Sequence, residues 1–208
     1  YASEYFFSSR AFTGLDLEYV ELEKVYRQRD PGFVALLNAI RNNTVTAEHL
    51  AQVNARVQPG YEPGPDELCV TLTPTNAAAD AVNARRLDAL PGAPRRFTGE
   101  VEGQFAASAL PVPEELLVKP GAQVMMTKNH PEGRWVNGTL GRIHAVGRRS
   151  GHDALEVEFA GGRRETVVRD AWELFRYVWD RAAKRLDTEV TGTYTHFPLR
   201  LAWAVTIH

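Results

Sequence analysis

Cysteine is nearly missing from this chain: Cys69, inside "LCVTL", is the only one in 208 residues. A single thiol excludes an intramolecular disulfide framework and a cysteine-built zinc site, and it suits a reducing, cytoplasmic setting. The six histidines are scattered and show no metal-ligand spacing. The dipeptide Gly-Lys never occurs, which excludes a phosphate-cradling P-loop, and there is no Gly-x-Ser-x-Gly nucleophile turn. No apolar run reaches the length of a membrane-spanning helix. Internal repeats and low-complexity tracts are also lacking. The acidic pairs Asp66-Glu67 and Glu114-Glu115 follow proline-rich loops rather than buried strands, so neither suits a magnesium site. By itself the chain lacks the equipment for hydrolysis.

What is present is ordinary for a globular chain: 44% hydrophobic residues, 24% charged, and a formal net charge of −2. That balance excludes a strongly basic nucleic-acid-coating protein but leaves local patches open. Residues 1–30 sum to −2, whereas residues 134–164 hold six arginines against three acids. The second cluster is either a set of solvated strand faces or a basic surface that meets phosphates.

Three textures follow one another. Up to about residue 95, strands and helices alternate. "LEYVEL" (17–22) alternates like a strand. "DPGFVALLNAIRNN" predicts a helix with Asp30 as N-cap and Pro31 in the first turn. "TAEHLAQVNARV" predicts a second helix capped by Thr46, "ELCVTLTP" a short strand, and "TNAAADAVNARRLDALPG" a helix stopped by Pro91-Gly92. Residues 96–133 are rich in loops. From 134 to 196 glycines punctuate short alternating segments, "TLGRIHAV", "ALEVEFAGG" and "RRETVVRD", spaced like strands of a small antiparallel barrel. Residues 172–194 suit a helix or a hairpin, and a hairpin turning near Arg181–Lys184 is the expectation adopted.

In "LTPTNAAAD" a strand ends and a helix begins at Thr75 and Asn76. Helix N-termini carry free N–H groups and partial positive charge, which favour an anion such as phosphate. Plain capping by either side chain explains the same residues.

The order of motifs resembles a known family. "VELEKVYRQRDPGFVALLNAIRNNTVT", "LTPTNAAADAVNARRLDAL", "VKPGAQVMMTKNHPEGRWVNGTLGRI" and "FPLRLAWAVTIH" resemble the C-terminal motor half of RecD-like superfamily 1B DNA helicases. The resemblance implies an α/β fold. Residues 1–130 and 197–208 would form an incomplete second RecA-like domain, a parallel sheet with helices, and residues 131–196 an inserted SH3-like β-barrel. In the family "TIH" continues as K-S-Q-G. The chain is therefore expected to stop inside that motif, with the P-loop and magnesium-binding acids upstream of Tyr1.

The resemblance also implies roles. Arg27, in "VYRQ", would reach ATP held on the first motor domain, whose ATP and Mg2+ sites are not expected in this segment; a surface arginine paired with Asp30 or Glu23 is the alternative. Thr75 and Asn76 would hold the backbone of single-stranded DNA. Thr206 and His208, in "TIH", would couple DNA to ATP. Asn137 is a further candidate for DNA contact, although Asn137-Gly138 is equally a tight-turn signal. Arg134, Arg142 and Lys128 could touch phosphates. Trp172, Tyr177 and Trp179 could stack on bases, with core packing of the barrel the preferred reading. The implied function is the second motor of an ATP-dependent DNA helicase, a monomer that tracks on single-stranded DNA and has no membrane attachment. The rival is a non-catalytic SH3-like module that docks nucleic acid or protein.

Overall fold

Asp30 starts the first regular element. Its carboxylate accepts from the N–H groups of Gly32 and Phe33, and Pro31 occupies the first turn, where a missing N–H costs nothing. In the computed structural model, which describes residues 3–21, 30–64, 67–181 and 184–206, this helix is α1 (Pro31–Arg41). A second helix, α2 (Ala47–Asn54), begins at Thr46, whose hydroxyl accepts from His49 N–H while the His49 ring accepts from Thr46 N–H. Together with the preceding segment they form one compact unit, residues 1–61. Here the expected strand at 17–22 is absent: residues 17–21 are exposed and irregular, and Leu22 lies outside the described residues. Alternation makes a strand only where a partner strand pairs with it, and residues 17–21 pair with none.

Residues 62–208 form the second unit. It opens with β1 (Thr71–Thr73), which leads through Pro74-Thr75 into α3 (Asn76–Asp88). Then follow β2 (Arg95–Thr98), β3 (Glu100–Gly103), β4 (Glu115–Val118) and β5 (Gln123–Met126). The long strands come next: β6 (Leu140–Arg149), β7 (His152–Phe159), β8 (Arg164–Val167), β9 (Asp170–Asp180) and β10 (Arg185–His196). The unit closes with β11 (Leu199–Leu201) and β12 (Ala204–Thr206).

The strands sort into an antiparallel sheet of order β11-β5-β6-β7-β8, a three-stranded sheet β3-β10-β9, an antiparallel pair β2-β4 and a parallel pair β1-β12. The fold is thus mixed α/β, with parallel pairing confined to β1 and β12 among the described residues. The hairpin expected for 172–194 is present as β9-β10, with a register shift between Val190 and Gly192. The barrel appears as an open sheet: four-residue β8 pairs with β7, and no ladder joins it to β11 among the described residues.

The core lies where these sheets meet. Val118, Val124, Met126, Leu155, Val157, Val167 and Phe197 are sealed from solvent, and α3 contributes Leu87. Polar pegs tie the pieces together. Gln123 Nε2 donates to the carbonyls of Cys69 and Ala202, both at 2.8 Å, and Lys119 Nζ donates to Leu90 O at 2.8 Å, beyond the end of α3. Such bonds satisfy carbonyls that burial would otherwise strand. Thr127 Oγ1 lacks such a partner, and so does His196, which is wholly buried with neither ring nitrogen partnered. Burial holds its pKa down to about 4, and the nearby Arg169 guanidinium pushes the same way.

Candidate nucleic-acid interface

The β1–α3 junction is a strand-to-helix turn with its helix start in the open. Thr75 is the N-cap: its hydroxyl accepts from Ala78 N–H at 3.3 Å, and its carbonyl accepts from Ala79 N–H and from the Thr73 hydroxyl. The cap satisfies one of the four free N–H groups of the first turn. Asn76, the first helical residue, is exposed and takes no part in capping. The turn therefore offers N–H groups, an amide side chain and the positive end of a 13-residue helix to an incoming anion.

β12 lies beside β1 in parallel register, with Thr73 opposite Thr206. Both strands thus end at the same rim, the carboxyl end, where open α/β sheets place their ligands. Asn83 fixes this alignment from α3. Its Nδ2 donates to Ala204 O, and its Oδ1 accepts from Ala204 N–H, both at 2.9 Å. The amide occupies β12's hydrogen-bonding edge as a neighbouring strand would. Next to it is a cavity of about 380 Å³ whose lining includes Asn76, Asn83, Arg200 and Thr206. The structure thus gathers Thr75, Asn76 and Thr206 at one rim. Asn83 escaped the sequence reading, although a signal existed. It sits with Ala79 and Leu87 at four-residue spacing on the buried face of α3, where an amide needs a specific partner.

Asn137 belongs elsewhere, in the loop between β5 and β6. Gly138 has φ +88°, and Thr139 N–H closes the turn on Val136 O at 3.0 Å, so glycine serves the third position of a type II turn. Asn137 N–H is held by Asn129 Oδ1 at 2.7 Å, while its side chain is exposed. Two of the proposed phosphate-binding cations are already engaged. Lys128 pairs with Asp170 and donates to Ala171 O. Arg134 pairs with Glu132 and Glu165. Arg142 is half-buried on β6.

Core packing of all three aromatics is not what the structure shows. Trp172 stacks on buried Tyr194, but Tyr177 is 74% and Trp179 61% exposed on the outer part of the β9-β10 hairpin, where no further layer covers them among the described residues. Arg27 and His208 lie outside the described residues.

Comparison with known proteins finds relatives along most of the chain. Human ATP-dependent DNA helicase PIF1 is 33% identical over 199 residues, which cover 91% of this chain. A Pif1 helicase from Bacteroides, solved as a double mutant, superposes with a TM-score of 0.85 at 28% identity and covers the whole chain. The relatives are Pif1 helicases. Bacteroides Pif1 has also been solved with ADP-AlF3 and single-stranded DNA, and that structure matches 91% of this chain with a TM-score of 0.61 at 29% identity. The chain spans 28% of human PIF1 and 46% of the double-mutant Bacteroides chain, so the likeness covers less than half the length of each relative. No protein-family model matches it.

Proposed function

We propose that this chain is the second motor domain of an ATP-dependent DNA helicase of superfamily 1B, on its RecD-like branch, and that it grips the backbone of single-stranded DNA. One observation carries the reading: the β1–α3 turn and the end of β12, which hold Thr75, Asn76 and Thr206, open on one rim of a chain that matches Pif1 helicases along its length. The DNA-bound Bacteroides relative supports single-stranded DNA as the ligand. Thr75, Asn76 and Thr206 would meet phosphates through neutral donors and the helix terminus, contacts that hold DNA without reading bases. Asn137 would touch the same strand from the inserted sheet of residues 131–196.

ATP and Mg2+ would be bound mainly by the first motor domain. From the segment before α1, Arg27 would reach across to the nucleotide, and His208 would link the DNA rim to it. An arginine supplied from a facing domain neutralises charge on the transferred phosphoryl group. Two such domains closing on ATP and opening after hydrolysis would move a single protein molecule along the strand.

The test is ATP hydrolysis by the intact protein, with and without single-stranded DNA. DNA-stimulated turnover is expected, and Arg27→Ala should collapse it by about 10³-fold, the lower end of the range for such arginines, while nucleotide still binds. The 208-residue chain alone should not turn over ATP. Unaltered turnover in the Arg27 variant removes that residue from the site, and an intact protein with neither ATPase nor DNA binding overturns the motor assignment.

A further inference from the structure

A second cationic site lies on the inserted sheet. The β6-β7 hairpin turns through Ser150 and Gly151, with φ of +50° and +84°. Two consecutive positive φ values make a type I′ turn, whose twist matches that of the strands and holds the hairpin tip in one shape. The tip presents Arg148, Arg149 and His152, all exposed. Arg148 Nη2 donates to Gly151 O at 2.6 Å, which orients its guanidinium at the turn. These side chains line a cleft of about 820 Å³ that also holds Arg134 and Arg169.

The acids cancel only part of this charge. Glu100 pairs with Arg169, and Arg134 is matched by Glu132 and Glu165. Asp153, also in the lining, stands opposite Arg148 in the ladder without an ion pair to it among the described residues. Arg148 and Arg149 therefore carry no carboxylate partner among the described residues. A site for a small ligand of this volume is normally lined by apolar and aromatic groups. This cleft holds four arginines beside Glu100 and Asp153, and the two guanidinium groups without a carboxylate partner suit an extended polyanion.

We propose that the cleft binds the phosphate backbone of DNA at a second place, separate from the β1–α3–β12 rim, with Arg148 and Arg149 as its principal contacts. The inference rests on the motor reading above. Its ligand is a stretch of DNA beyond the gripped strand, such as the flanking part of a fork.

The experiment compares the 208-residue chain with its Arg148→Gln/Arg149→Gln variant by fluorescence anisotropy. The probes are a short single-stranded oligonucleotide and a forked duplex, each titrated with salt. Each lost phosphate contact makes the log–log salt dependence shallower by about 0.9. The double variant should therefore bind the fork with a slope shallower by up to about 1.8 and an affinity lower by roughly tenfold or more. The short oligonucleotide should bind as before. Arg148→Lys/Arg149→Lys, which keeps the charge, should restore most of the slope, and a circular-dichroism melt confirms that these surface variants fold. An unchanged slope on the fork overturns the proposal. So does displacement of the fork by polyglutamate as readily as by unlabelled DNA, since the cleft would then be a surface for acidic protein. If Thr75→Ala/Asn76→Ala weakens binding while the arginine variant changes nothing, this inference alone fails. If neither pair changes DNA binding, the motor reading fails with it.

Discussion

The side-chain amide of Asn83 pairs with both backbone polar groups of Ala204, donating to the carbonyl and accepting from the N–H at 2.9 Å each. Truncating it leaves two buried groups without partners, at about 1–3 kcal/mol for each unsatisfied group. Asn83→Ala should therefore lower unfolding free energy by about 2–6 kcal/mol in urea. Asn83→Asp should cost no less, because a carboxylate cannot donate to Ala204 O. A loss below about 0.5 kcal/mol for Asn83→Ala would show that β12 keeps its place without this peg.

Thr75 and Asn76 can now be separated. Thr75 caps α3, so Thr75→Ala should cost about 1 kcal/mol of stability. Asn76 is exposed and caps nothing, so Asn76→Ala should leave the melt unchanged. If Asn76 holds a phosphate through one neutral hydrogen bond of about 0.5–1.5 kcal/mol, its loss should weaken single-strand binding by roughly twofold to tenfold. The effect should be equal for unrelated sequences, with the salt slope unmoved, since no counterion is released. Unaltered affinity in Asn76→Ala would confine this junction to capping.

His196 gives the fold a pH dependence. Its ring stays neutral in the folded state down to about pH 4, whereas the unfolded chain binds that proton near 6.5. Stability from this group is complete above about pH 6.5. It falls as pH drops towards 4 and levels off below, a total of roughly 3 kcal/mol at 1.36 kcal/mol per unit. His196→Phe should flatten that part of the stability profile and raise stability at neutral pH, because two unpartnered nitrogens are removed. Parallel profiles for the two proteins between pH 4 and 6.5 would rule out a neutral His196.

Gly99 and Tyr194 form a lock. A methyl group on Gly99 would collide with the Tyr194 ring and hydroxyl, and the same hydroxyl donates to Pro113 O at 3.2 Å. Gly99→Ala should therefore cost about 1–3 kcal/mol through overpacking. Tyr194→Phe keeps the ring and should lose only about 1 kcal/mol. Tyr194→Leu should cost less in the Gly99→Ala background than alone, because there it also removes the clash. Strict additivity in thermal or urea melts would contradict the lock.

The sequence was most readable where local chemistry decides. Asp30-Pro31, Thr46 and Thr75 all cap helices where their side chains predict, because a cap depends on three or four adjacent residues. The β9-β10 hairpin was legible from its aromatic and β-branched content. Readability ended where a distant partner decides. "LEYVEL" alternates but finds no strand to pair with. Tyr177 and Trp179 look like core residues until the hairpin is seen to extend beyond it. Arg148 and Arg149 were counted in a basic stretch, but only the fold sets them over a cleft with Arg134 and Arg169.

The pairing of β1 with β12 also sets an order of events during folding. The Thr73 hydroxyl donates to Val205 O across 132 residues of chain, and Asn83 reaches Ala204 across 121. Closing so long a loop is entropically costly until the chain between is already compact. The β6-β7 and β9-β10 hairpins, whose strands are adjacent in sequence, can form first and draw the two ends together. On a ribosome that makes the chain from its N-terminus, α3 must wait, its buried amide unpaired, until Ala204 emerges. The rim proposed to grip DNA is therefore the last part of this unit to be completed, and a nascent chain acquires it only after its antiparallel sheets have formed.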